Sequence, residues 1–208
     1  MRTQTHKEEL LNSLTHGIGF LLSLVGFVLL IVYKSFDSTA STIAIILYGV
    51  SLAVLYFVST LYHYEKNEHR KNIYRKLDHI SIYYLIAGTY SPVVLIAIDH
   101  SMGWTLFWTV WGIAIFGTIL KVFFTGKFEI ISVILYLVMG WLIVLDFSAL
   151  QESVSTTGLY LLMGGGLAYT VGIVFYAMDK IKYSHVIWHL FVLLGSILHY
   201  LFIFLTIL

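Results

Sequence analysis

Apolar and polar positions divide the chain into seven long apolar runs, at about 14–33, 41–63, 79–98, 104–124, 128–149, 156–177 and 185–207. Each is near the ~20 residues that an α-helix needs to cross ~30 Å of hydrocarbon. The connections are short, except for a charge-dense segment from Tyr64 to Asp78. Short connections force neighbouring helices to run antiparallel. The pattern therefore predicts an all-α membrane protein, an up-and-down seven-transmembrane helix bundle forming one domain over residues 1–208. The first run is too long for the core of a signal peptide and lacks a small-residue cleavage pattern, so it reads as a retained first helix.

Charge changes the picture by giving the bundle a direction. Arg2 and Lys7 precede the first run, and Lys66, Arg70, Lys71, Arg75 and Lys76 fill the second connection. Lys121 and Lys127 flank the fourth connection, and Lys180 and Lys182 the sixth. Eleven of the twelve basic residues thus fall on one side, and only Lys34 on the other. Basic residues in short loops mark the cytoplasmic side. The expected orientation is a cytoplasmic N-terminus and, after seven crossings, an outside C-terminus.

Composition narrows the chemistry. The chain of 208 residues is 59% hydrophobic and 11% charged, against about 25% charged in soluble domains. A net charge of +1 gives no sign of a nucleic-acid partner. The absence of cysteine excludes a disulfide framework and a thiolate metal site, so a metal here would be held by nitrogen and oxygen. The single proline, Pro92, follows Gly88-Thr89-Tyr90-Ser91 in the third run. It removes a backbone hydrogen bond there and is expected to kink the helix.

Polar residues gather at one end of the predicted bundle. His63 closes the second run, Asp78 opens the third, and His185 and His189 open the seventh. Asn12, Thr15 and His16 open the first. Imidazoles four residues apart on a helix share one face, and ionisable groups inside a membrane usually mark function. Three neutral imidazoles with one open position form the donor set of a catalytic zinc, which lowers the pKa of a bound water to about 7. His63, His185 and His189 are the candidate ligands. Asp78 reads either as a fourth ligand or as the general base that handles the water. Ser59, one turn deeper than His63, reads as a hydrogen-bond donor to the water or a developing oxyanion.

Plainer roles compete with each assignment. Asp78 before an apolar run also reads as a helix N-cap, and His63 as an interfacial side chain reaching for water. His79, about 100° round the helix from Asp78, is a substitute ligand at best. His16 reads as a supporting hydrogen-bond partner. His199 lies ~15 Å along its helix from His189, too far to share an ion, and is expected to bond a neighbouring helix. Gly164, Gly165 and Gly166 permit close helix approach.

The sequence resembles the hemolysin III family, the bacterial branch of the progestin and adipoQ receptor superfamily. The matching pieces are Glu9-xx-Asn12-xx-Thr15-His16, Ser59-Thr60-Leu61-Tyr62-His63, Lys76-Leu77-Asp78-His79, Ala87 through Pro92, Ser184-His185-xxx-His189 and Gly195-Ser196-xx-His199. The resemblance implies seven helices, a cytoplasmic N-terminus and a multi-pass location in the bacterial plasma membrane. It also implies zinc near the cytoplasmic face on His63, His185 and His189, with Asp78 associated with the zinc-bound water and Ser59 close by. Animal members resemble zinc-dependent hydrolases of lipid amides such as ceramide. Those that are hormone receptors carry an extended N-terminal domain that this chain is expected to lack, so receptor function is not carried over.

Two functions follow as expectations. One is an intramembrane zinc-dependent hydrolase whose partner and substrate is a membrane lipid carrying an amide or ester. The other is a non-enzymatic lipid or fluidity sensor, or a lytic membrane protein, with zinc as a structural clamp between the second and seventh helices.

Overall fold

The computed structural model describes residues 3–33, 38–124, 127–178 and 180–207, so Arg2 and Lys34 of the charge count lie outside the described residues. Among these residues there are seven helical spans and no strand. The first three are α1 (His6–Tyr33), α2 (Thr39–Tyr64) and α3 (Glu68–Pro92) with a π-helical turn at Val93–Ala97. The fourth is α4 (Gly103–Phe124). The fifth runs from α5 (Glu129–Trp141) through a 3-10 stretch (Leu142–Asp146) into α6 (Phe147–Ser153). The last two are α7 (Thr156–Ala177) and α8 (Ser184–Phe202), the latter extended by a π turn at Ile203–Ile207. All seven are long and apolar enough to cross a membrane, and the protein is a multi-pass membrane protein.

Helix packing inverts the soluble pattern. The buried face of α1 carries Glu8, Asn12, Ser13, His16, Gly19, Ser23 and Gly26 at helical spacing, while Leu21, Leu22, Val25 and Val32 point outward. Lipid gives apolar side chains no reason to hide, so small and polar residues take the interfaces. α2 packs between α1 and α3, and α8 packs on α7 and returns to α1. That return closes the bundle and brings the start of α8 beside the end of α2.

Two helices extend beyond their apolar runs, which changes how the site is built. α3 starts at Glu68, capped by the Asn67 side chain on the Arg70 N–H. Its first turns are charged yet helical, because Lys, Arg and Glu are good helix formers once a cap is in place. Asp78 therefore lies inside the helix and is not its N-cap. α1 likewise starts at His6, so Glu8 and Glu9 sit on its first turn. At Pro92 the helix continues into the π turn, with Ser91 Oγ donating to the Ala87 carbonyl and Thr89 Oγ1 to that of Leu85. The missing proline N–H is absorbed by widening the helix.

Candidate metal centre

The end of α2 and the start of α8 bring three imidazoles together. One ring nitrogen from each of His63, His185 and His189 lies within 4.8 Å of the others. The ring centroids are 4.7 Å apart for His185 and His189, 4.9 Å for His63 and His189, and 5.2 Å for His63 and His185. His63 and His189 are buried, 3% and 1% exposed, and His185 is half-buried. Three nitrogens ligating one zinc ion at about 2.0–2.1 Å stand roughly 3.4 Å apart. Modest side-chain rotations close the observed set to that spacing.

Hydrogen bonds select the nitrogen that His63 and His189 offer. His63 Nδ1 donates to Glu9 Oε2 at 2.7 Å, while its Nε2 is buried with no hydrogen-bond partner. A carboxylate only accepts, so Nδ1 carries the hydrogen and Nε2 holds a lone pair. His189 Nδ1 lies 3.3 Å from the Asn12 carbonyl and 3.4 Å from Thr15 Oγ1. The carbonyl fixes the hydrogen on Nδ1 there as well. Metal-ligating histidines are usually oriented by such a partner on the far nitrogen. A buried imidazole lone pair without a donor is costly in a dry interior, and a cation satisfies it. These residues fit a divalent metal.

Glu8 and Glu9, neither of them among the candidate ligands, frame the centre. Glu9 Oε1 accepts from Lys71 Nζ at 2.7 Å, so one carboxylate ties α1 to α3 and to His63. Glu8 Oε1 accepts from the Tyr183 N–H at 2.8 Å. Tyr183 has a left-handed backbone, φ 63, immediately before Ser184 and His185. That conformation is unfavourable for a bulky residue, and the Glu8 bond holds it. Two adjacent acids opening an apolar span were the available signal. Glu9→Gln keeps the shape but removes the charge that holds Lys71 and orients His63. It is expected to weaken metal affinity about 10–100-fold, read by titration against a competing chelator; unchanged affinity would show that Glu9 does not orient His63.

The remaining candidates arrange themselves around the three rings. Asp78 is buried and within electrostatic range of His63, but it does not join the three-nitrogen set. Ser59, 1% exposed, stands beside Asp78 without making a geometrically satisfied hydrogen bond. His16 stacks on His189 with centroids 3.6 Å apart and planes at 9°, and neither of its nitrogens has a partner. It is a backing plate for His189. His79 turns away, its Nδ1 3.7 Å from Glu129 Oε2. His199 Nε2 lies 3.1 Å from the Leu162 carbonyl, bonding α8 to α7 as expected.

Two cavities lie in the bundle, and only the first is lined by ligand histidines. One, of roughly 700 Å³, opens at the end that carries the N-terminus and is walled by Glu9, Tyr62, His63, Arg75, Tyr176 and His185 among others. The second is a narrow apolar crevice of roughly 80 Å³ between the third, fifth, sixth and seventh spans. It runs past Leu85, Tyr136 and Ile173 to Trp188, the neighbour of His189.

Fold and site together define a seven-span helical membrane protein with a three-histidine candidate metal centre at one end. The chain matches the family model described as "Haemolysin-III related" over residues 4–200, and it belongs to that family. It is 44% identical to hemolysin-3 of Bacillus cereus over 93% of this chain and 89% of that protein. It is 43% identical to a hemolysin-3 homolog of Bacillus subtilis (strain 168), over 92% of this chain and 91% of that one. The human protein named monocyte to macrophage differentiation factor is 31% identical over 93% of this chain and 82% of its own length. No solved structure matches.

Proposed function

We propose that this protein is a zinc-dependent hydrolase of a lipid amide or ester in the bacterial plasma membrane, with the site at the cytoplasmic face. The observation that carries this reading is a buried carboxylate, Asp78, standing beside a three-imidazole donor set without belonging to it. A donor set of three nitrogens leaves a position open, as catalytic zinc sites do and closed structural sites do not. All-nitrogen ligation without thiolate suits zinc. The basic residues at this end favour the cytoplasmic side.

His63, His185 and His189 would hold the ion. When bound, zinc supplies Lewis acidity that polarises a carbonyl and acidifies water. Asp78 takes the proton as a water oxygen attacks the acyl carbon, and returns it to the departing amine or alcohol when the C–N or C–O bond breaks. Ser59 Oγ, beside Asp78, donates to the developing oxyanion. The open cavity admits water to His63 and His185.

The test is release of free fatty acid from a panel of lipid amides and esters by purified protein. Chelation is expected to stop release, and added zinc to restore it. A zinc-loaded protein that hydrolyses nothing, and that merely loses thermal stability on chelation, would instead support the structural-clamp reading.

A further inference from the structure

The basic residues of this protein are not equivalent. Among the described ones, Lys7, Lys66, Lys76, Lys127, Lys180 and Lys182 are exposed. Arg70 pairs with Glu65, Lys71 with Glu9, and Lys121 with Glu129. Arg75 is the exception: it is half-buried, forms no ion pair among the described residues, and its Nε is buried there with no hydrogen-bond partner. A buried guanidinium N–H without a hydrogen-bond partner is costly. Positive-inside bias explains an exposed loop charge, not one withdrawn into a cavity wall.

Position tells what the charge is for. Arg75 lines the same cavity as His63 and His185, with Tyr62 and Tyr176 on the surrounding wall. Both tyrosines stand within electrostatic range of the guanidinium and of Asp78. Two of the cavity's carboxylates, Glu9 and Glu65, are already engaged by cations, and Glu68 is at the exposed rim. Arg75 precedes Asp78 by three residues, so it sits about 4.5 Å nearer the helix start and on the same side. A guanidinium fork with hydroxyl donors nearby suits a phosphate.

We infer that Arg75 binds a phosphate group, and that the substrate is an acyl lipid whose phosphate lies a few bonds from its amide or ester carbonyl. With the phosphate on Arg75 and flanked by the Tyr62 and Tyr176 hydroxyls, such a lipid directs its carbonyl one turn deeper, toward Asp78 and the three histidines. This rests on the hydrolase reading for the carbonyl's role, but the phosphate site itself does not require turnover.

The experiment follows the thermal unfolding midpoint of the purified, full-length protein in detergent. The ligands titrated are a short-chain phosphatidate, the matching diacylglycerol and inorganic phosphate. A ligand that binds only the folded state raises the midpoint in proportion to its occupancy. Phosphatidate is expected to stabilise and diacylglycerol not. Arg75→Gln should weaken the phosphatidate response about tenfold or more, consistent with loss of a charge-assisted pair, while exposed Lys76→Gln should leave it unchanged. Arg75→Lys keeps the charge but loses the fork, and is expected to weaken binding less. It decides the matter if Arg75→Gln does not fold, since a response equal to that of the unmodified protein counts against the fork. An Arg75-dependent response to inorganic phosphate as strong as that to phosphatidate would keep the phosphate site but overturn the lipid as its source. Equal responses to phosphatidate and diacylglycerol, or no effect of Arg75→Gln, would overturn the inference. Turnover with Arg75 indifferent defeats only this inference; Arg75-dependent binding without turnover of any lipid defeats only the hydrolase reading.

Discussion

His189→Ala is expected to abolish metal binding while leaving the fold in place. Elemental analysis of the unmodified protein should give about one zinc per chain, and His189→Ala should give none. The ring is 1% exposed, oriented by the Asn12 carbonyl, and within 4.8 Å of the other two ligand nitrogens. Its loss leaves two ligands, so the affinity should fall by more than the ~10–100-fold that a supporting residue costs. His63→Ala should behave alike, and additionally releases Glu9 from its 2.7 Å bond. His199→Ala, on the same helix but bonded to the Leu162 carbonyl, is the control that keeps the metal. Zinc retained in His189→Ala would move the site elsewhere; a well-folded preparation without metal would remove the zinc chemistry altogether.

Asp78→Asn is expected to separate binding from chemistry. Asp78 lies outside the three-nitrogen set, so zinc content should stay near one per chain. Turnover should fall about 10²–10⁴-fold, the usual contribution of a positioned general base. Asparagine keeps the size of the side chain and its place beside Ser59, but it cannot accept the proton. Zinc lost along with turnover would make Asp78 a ligand. Turnover that persists unchanged would take Asp78 out of proton transfer and return it to a packing role in α3.

The spans were legible because lipid imposes a simple rule: a helix that crosses must be long and apolar, and its backbone must satisfy itself. The histidines were legible for a related reason, since imidazoles at the end of an apolar run stand out against a composition of 11% charged residues. Helix ends were less legible. Hydropathy sees where the hydrocarbon stops, whereas α3 begins at Glu68, well ahead of its apolar run, because capping and propensity carry a helix into water. For the same reason Asp78, at the start of the apolar run, has the sequence signature of an N-cap although the turns before it are helical.

The sequence by itself determined the number of spans, the end of the bundle at which polar groups gather, and the three histidines worth testing. Periodicity and local spacing are one-dimensional, and they suffice for that. Only the tertiary structure decided which atoms meet. It turned the lone pair of His63 inward through Glu9, stacked His16 on His189, set Asp78 beside the donor set rather than in it, and left the Arg75 Nε buried with no hydrogen-bond partner among the described residues. Each depends on how α1, α2, α3 and α8 approach one another, and that approach is set by small and polar faces whose partners lie as much as 177 residues apart.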